Sequence, residues 1–253
     1  MQSKKVLMYL PVMVCIAGAG CGGGGGVNVI ASRPVSTDVS SAVLPPNGSG
    51  VSLPGCTSES FLPNFSKTIM LYHWNKFPLH VYFENSGVVT KDDGTQVDLV
   101  PVALTGLNEW VTSTGDGIAY DVTSDPKLAN VTVHFTSLNS SPTEKDLLGV
   151  EQSAIFADGT MKSADIQFSI WSGMTSQNVS GFQETCAHEF GHALGLNGHS
   201  EDSRDVMFAV HLTNTMKPLS VRDVNTMKTA YCNSFGRGVS KGASGPVTLV
   251  TNY

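Results

Sequence analysis

The segment 186–200 contains the residues of this chain that are best suited to perform chemistry. It reads CAHEFGHALGLNGHS and includes the pattern H-E-x-x-H at His188, Glu189 and His192. Residues four apart lie on the same face of a helix, so both imidazoles can bind one metal ion. Glu189 then lies beside the open position of the metal, where a carboxylate can accept a proton from bound water.

The residues after this helix offer a third ligand. Gly195 can end the helix, because glycine readily adopts the left-handed conformation of a C-terminal cap. The chain then turns back, and His199 follows as the third ligand, with His211 as the alternative. Three neutral imidazoles and one water form the open tetrahedral shell that is typical of catalytic zinc.

With a methionine at position 207, this pattern resembles the metzincin metalloproteases, and the run HEFGHALGL is similar to their matrixin branch. The family pattern H-E-x-x-H-x-x-G-x-x-H places the third ligand ten residues after the first, whereas His199 stands eleven after His188. We interpret Gly198 as a one-residue bulge, which glycine accommodates at low steric cost. The resemblance implies that Met207 forms the Met-turn, an apolar floor beneath the metal.

Local patterns predict the elements around this segment. Alternating apolar residues predict strands at 79–83 and 130–135, and helical spacing predicts a helix at 99–111. Asp158-Gly159 predicts a hairpin turn with arms at 149–157 and 161–169. Capping-box patterns place the start of the zinc helix near Gly181 and the start of the last helix at Ser220.

This order of elements is similar to that of the matrixins. It implies an α+β, metzincin-like catalytic domain: a twisted, mostly parallel sheet with an antiparallel edge strand, a zinc helix and a C-terminal helix. In that family the strand before the hairpin turn is the sheet edge, and an extended peptide binds it as an added strand. Residues 149–156 would then bind the polypeptide substrate. We expect the domain at 67–235, followed by a loose tail at 236–253.

The first residues read as an export signal at 1–20. Lys4 and Lys5 precede an apolar run that is too short to span a bilayer. Cys21 follows small residues, as in the lipobox of bacterial lipoproteins, and would be lipidated; an ordinary cleaved signal peptide is the alternative. Residues 21–66 contain this site and a Gly-, Ser- and Pro-rich linker. We expect a lipoprotein at the bacterial outer membrane or cell surface, or otherwise a secreted protein.

The net charge limits the classes of binding partner, and the number of cysteines limits the possible disulfide bonds. A net charge of -6 is not that of a nucleic-acid-binding protein, which needs a basic surface. We expect no membrane contact beyond the N-terminal lipid. We expect a monomer. After Cys15 and Cys21, an odd number of cysteines remains, so one of Cys56, Cys186 and Cys232 has no partner within the chain. The resemblance favours Cys186–Cys232, because the last helix of the family packs behind the zinc helix; Cys56–Cys232 is the rival.

A second cation is only weakly indicated. Gly94 is flanked by the acidic residues Asp92, Asp93 and Asp98, a pattern that only weakly predicts a calcium site. The main interpretation is a solvent-exposed turn.

The sequence therefore predicts a zinc-dependent endopeptidase in which Glu189 is the general base for a zinc-activated water. A non-catalytic, zinc-stabilised surface-binding lipoprotein is the alternative, and a zinc hydrolase of cell-wall or other amides is a third interpretation. The presence of Glu189 argues against a non-catalytic protein, because zinc binding alone does not require that carboxylate.

Overall fold

The computed structural model of the chain describes residues 65–115, 117–138, 147–210, 217–232 and 245–253. These ranges fall within one compact unit, Ser40–Tyr253. The predicted export signal, and Cys21 and Cys56 in the predicted linker, lie outside the described residues. Within the described ranges, no helix combines the length and the apolar character needed to cross a lipid bilayer.

The described part of the chain contains strands and helices in a mixed order. The helices are α1 (Val100–Ser113), α2 (Ser176–Ala193) and α3 (Val221–Tyr231), with a short 3-10 helix at Pro126–Leu128. The strands are β1 (Met70–Leu71), β2 (Leu79–Phe83), β3 (Val88–Thr90), β4 (Gln96–Asp98), β5 (Tyr120–Val122), β6 (Val131–Leu138), β7 (Gly149–Phe156), β8 (Met161–Trp171), β9 (Leu196–Asn197) and β10 (Val247–Asn252).

One sheet of six strands organises these elements, in the order β10-β7-β8-β6-β2-β5. Strands β8, β6, β2 and β5 run parallel to one another, whereas β7 is antiparallel to β8 and β10 is antiparallel to β7. Two small antiparallel sheets, β1-β9 and β3-β4, accompany it. The predicted mixture of helices with a mostly parallel sheet is confirmed, as is the hairpin that joins β7 to β8 through Asp158-Gly159.

Apolar side chains join the sheet to α2. On β6, Val131, Val133 and Phe135 are buried and alternate with less buried residues, as the strand period requires. Phe168 of β8 packs edge-on against Phe182 of α2, with ring centroids 5.3 Å apart. The buried apolar side chains of α2 thus fix the helix over the sheet.

Helices α1 and α2 approach each other very closely at Gly106. A Cβ atom at this position would lie 2.6 Å from the backbone nitrogen of Ala187. Beside it, Trp110 Nε1 donates a 2.7 Å hydrogen bond to the Ala187 carbonyl. Helix α1 therefore supports the turn of α2 that carries the histidine motif.

The substitution Gly106→Ala tests this close contact. Alanine favours an isolated helix by about 1 kcal/mol over glycine. Here, however, the added methyl group meets backbone atoms that cannot move independently, so we expect the free energy of unfolding to fall by about 1–3 kcal/mol. Urea unfolding measures the change, with the exposed neighbour Thr105→Ala as the control. A more stable Gly106→Ala variant would contradict the predicted contact.

The zinc helix begins earlier than the sequence pattern indicated. The prediction near Gly181 is wrong, because Thr175 is the N-cap of α2 and forms a capping box with Asn178. Asn178 N donates to Thr175 Oγ1 at 3.1 Å, and Thr175 N donates to Asn178 Oδ1 at 2.8 Å. The earlier box has asparagine at the position where the usual sequence pattern has glutamate or glutamine, so the pattern did not identify it. For α3, the predicted capping box of Ser220 and Asp223 is confirmed.

The tail predicted at 236–253 is not loose throughout, because its residues Val247–Asn252 form β10. This strand pairs with β7 along almost its whole length, from Val247 opposite Phe156 to Asn252 opposite Glu151. Strand β7 therefore has a partner on both sides, and the prediction that it is the edge of the sheet is wrong. Backbone groups that an added peptide would use are hydrogen-bonded to β10 in this structure.

Candidate active site

Helix α2 brings two imidazoles of the predicted site together. His188 and His192 are buried on one face, and their Nε2 atoms are 3.0 Å apart. His188 Nδ1 donates a hydrogen bond to the Val206 carbonyl at 2.7 Å, and His192 Nδ1 donates to the Leu196 carbonyl at 2.5 Å. Because a carbonyl only accepts, each Nδ1 carries the proton and each Nε2 of the neutral ring presents a lone pair.

The backbone after α2 turns sharply enough to return a third imidazole. Gly195 has φ +114° and donates its N–H to the His192 carbonyl at 2.8 Å, so the predicted glycine cap is confirmed. Gly198 has φ +93°, a conformation that side-chain-bearing residues rarely adopt. The chain then places His199 against the pair, with its ring 5.2 Å from each of the others between centroids.

The three histidines form a donor set that fits a metal ion. Their ligand nitrogens all lie within 4.8 Å of one another, and this is the one such cluster of His, Cys, Asp or Glu within the described ranges. Two lone pairs 3.0 Å apart repel each other, and a shared cation removes that repulsion. Hydrogen bonds from the Nδ1 atoms to carbonyls are the usual outer support of metal-binding histidines. His211, the alternative ligand, lies outside the described residues.

Met207 lies in a tightly held turn against α2. It is fully buried, and a methyl group at Gly191 of α2 would collide with its Sδ atom. The Met207 carbonyl accepts a 2.7 Å hydrogen bond from Ser200 N, which ties the turn to the residue after His199. The methionine thus packs against the backbone of α2 at Gly191, the residue before His192; that it forms the floor beneath a metal stays a prediction of the family resemblance.

A buried carboxylate from α3 holds the same turn. Asp223 accepts hydrogen bonds from Val206 N at 2.9 Å and from Met207 N at 3.2 Å, and it also caps its own helix through Ser220 N. Burial raises the pKa of Asp223, although the donors that surround it oppose this effect. Sequence reasoning identified Asp223 only as a cap; its link to the turn carrying the Val206 carbonyl required the fold.

Glu189 lies against the first residue of β7. Its side chain is 3% exposed, and a methyl group at Gly149 would collide with its carboxylate. Its Oε2 atom is buried and has no hydrogen-bond partner among the residues that the structure describes. Burial raises the pKa of the Glu189 carboxyl well above its usual range, and the Glu151 carboxylate raises it further. A carboxyl group with these properties is suited to accept and release a proton beside a cation.

Two polar residues near Glu189 were missed by sequence reasoning. Glu151 is fully buried on β7, and burial raises its pKa to about 7. Asn252 of β10 is 5% exposed and binds Glu151 on one side and the Gly198 N–H on the other. An acidic residue between Gly149 and Ser153 at inward-facing strand positions was the signal for Glu151. No local signal identified Asn252.

The predicted disulfide Cys186–Cys232 is wrong. Cys186 is a free, fully buried thiol, whereas Cys232 is disulfide-bonded and so cannot be its partner. Cys186 faces α1, where its Cβ lies close to Gly106. Burial raises the pKa of the Cys186 thiol well above its usual value, and the charge of Glu189 adds to this effect, so the thiol is unreactive.

The weak calcium signal corresponds to an exposed turn. The Asp93 carboxylate accepts hydrogen bonds from Thr95 N and Thr95 Oγ1, and it forms an ion pair with Lys91 Nζ at 2.9 Å. The carboxylate that a cation would need is thus engaged by local donors, as expected of a solvated turn.

Comparisons with known proteins identify one matching family. The family model described as Matrixin matches residues 93–232, more than half of the chain. No curated protein matches the chain. Among solved structures, the GM1-bound form of the ECX AB5 holotoxin is similar to this chain at 15% identity and a TM-score of 0.34, over 67% of this chain and 75% of that one.

Proposed function

Because the chain belongs to the matrixin family, in which zinc is the metal used, we propose that it is a zinc-dependent endopeptidase that hydrolyses peptide bonds. The observation that carries this proposal is the cluster of His188, His192 and His199 beside the buried carboxyl group of Glu189. When bound, zinc supplies Lewis acidity, which activates water and stabilises negative charge on a carbonyl oxygen.

The residues of this chain supply the remaining parts of the reaction. Glu189 takes a proton from the attacking water at its Oε2 atom, which no other described residue engages in a hydrogen bond, and returns it to the leaving amine. Gly149 holds the opposite side of this carboxylate against the backbone of β7. The Val206 and Leu196 carbonyls keep His188 and His192 in the tautomer that leaves Nε2 available.

We also propose that the protein is exported and held at a bacterial surface through Cys21. The apolar run and small residues before Cys21 support export. The disulfide at Cys232 supports it independently, because disulfides persist in oxidising compartments and are rare in the cytosol.

Digestion of a mixed peptide library tests the proposed activity. We expect cleavage of internal peptide bonds by the purified protein, loss of cleavage with a zinc chelator and recovery on addition of zinc. Cell-wall fragments in parallel reactions test the amide-hydrolase interpretation. A protein that binds zinc stoichiometrically but cleaves no peptide would contradict the proposal and support the non-catalytic alternative.

A further inference from the structure

Strand β10 occupies the edge at which an extended peptide would join the sheet. It runs antiparallel to β7, with Val247 opposite Phe156 and Asn252 opposite Glu151. The direction of β10 therefore leads along β7 toward Gly149, against which Glu189 packs. A peptide that adds to this edge must displace β10 or leave β7 without contact.

Side-chain burial holds β10 weakly along most of its length. Its first residues are exposed, and Leu249, the largest apolar side chain of the strand, is 65% exposed. The one buried residue is Asn252. Apart from its backbone hydrogen bonds, the strand is thus anchored at the end nearest to Glu189.

The surroundings of Asn252 match both halves of its carboxamide group. The Gly198 N–H donates to Asn252 Oδ1 at 3.0 Å, and Asn252 Nδ2 donates to Glu151 Oε2 at 2.8 Å. The other oxygen of Glu151 accepts a hydrogen bond from Ser153 Oγ. A carboxylate in place of this carboxamide would face Glu151, and an apolar side chain would leave buried polar groups unpaired, which costs free energy.

The groups that bind this carboxamide adjoin the candidate active site. Gly198 directly precedes His199, and Glu151 lies on the same face of β7 as Gly149. A peptide that followed the path of β10 would place its own side chain between Glu151 and Gly198. The residues after that side chain would continue to Gly149 and Glu189.

We propose that Glu151 and the Gly198 N–H form a substrate subsite that selects a primary carboxamide side chain, and that Asn252 fills this subsite as an internal competitor of peptide substrates. The expected effect of Asn252 on peptide cleavage rests on the proposed peptidase function. The binding site itself does not depend on hydrolysis, so binding and cleavage are measured separately.

The full-length variant Asn252→Ala tests the competition. We expect faster hydrogen exchange of the β10 amides and a kcat/KM for peptides that is roughly tenfold higher, since buried hydrogen bonds that hold the competitor are lost. Thr251→Ala is the matched control, because it removes only an exposed contact of the same strand with Gln152. Asn252→Asp keeps the side-chain shape and should act like Asn252→Ala. Exchange and kcat/KM equal to those of the control would overturn the proposal.

Peptides that differ at one position test the selectivity. In the Asn252→Ala background, we expect a peptide with asparagine at the subsite position to be cleaved roughly tenfold better than its aspartate or leucine analogue. Glu151→Leu should abolish this preference. Adding Glu189→Gln prevents hydrolysis. In that variant, slower hydrogen exchange of the β7 amides in the presence of the asparagine peptide measures binding alone. Equal protection by all analogues would refute the subsite, whereas selective protection without cleavage by the active protein would refute only the peptidase function.

Discussion

The variant Glu189→Gln should bind zinc as the wild-type protein does but hydrolyse peptides roughly 10²–10⁴-fold more slowly, the usual contribution of a general base. Glutamine has nearly the same shape, so it can occupy the narrow space against Gly149 that holds the carboxylate. It cannot take a proton from water, however, because its amide is not basic. Metal analysis and steady-state kinetics on one fluorogenic peptide measure the two properties.

The control for this variant is the same chemical change at a distant site. Glu84 follows β2, its side chain is 59% exposed, and its partner is His134 rather than any residue of the triad. Glu84→Gln should therefore keep the turnover of the wild-type protein. If Glu189→Gln retained full turnover as well, another group would have to accept the proton and the proposed mechanism would be wrong.

The variant Asp223→Ala should lose about 3–5 kcal/mol of unfolding free energy, since each buried N–H left without an acceptor costs about 1–3 kcal/mol. Asp223 is only 2% exposed, so alanine in its place would leave the Val206 and Met207 N–H groups buried without their acceptor. The turn would then hold the Val206 carbonyl less firmly, and loss of such outer support typically lowers metal affinity by about 10–100-fold.

Urea unfolding and zinc titration test both parts of this prediction. Val221→Ala is the control, because this side chain lies on the first turn of the same helix and is 72% exposed, so its removal should change stability by less than about 0.5 kcal/mol. Asp223→Asn should be intermediate, since one carbonyl oxygen remains as an acceptor. An Asp223→Ala variant with the stability and zinc affinity of the control would show that the turn is held by other contacts.

The features that the sequence predicted are those encoded by neighbours along the chain. The spacing of His188 and His192 specifies a shared helix face, and Asp158-Gly159 specifies a hairpin turn, because both depend on local backbone geometry. Gly195 and Gly198 belong to the same class, since each occurs where the backbone has positive φ. Local rules thus favoured His199 as the partner of the helical pair, although they left His211 open as the alternative.

The features that the sequence did not predict depend on residues far apart. Strand β10 pairs with β7 about a hundred positions earlier, and alternation in Val247–Asn252 cannot reveal which strand it will join. The parity of the cysteines showed that one thiol has no partner but not that it is Cys186. The family resemblance supplied an open β7 edge, and this chain differs because it covers that edge itself.

Zinc-edge anomalous diffraction from crystals of the zinc-loaded protein tests the central claim most directly. The account predicts one zinc ion per chain, bound by nitrogen atoms of His188, His192 and His199, with a position open to solvent on the side of Glu189. A zinc ion enclosed by four protein ligands, a site that uses His211 instead of His199, or no ordered zinc at the triad would contradict it.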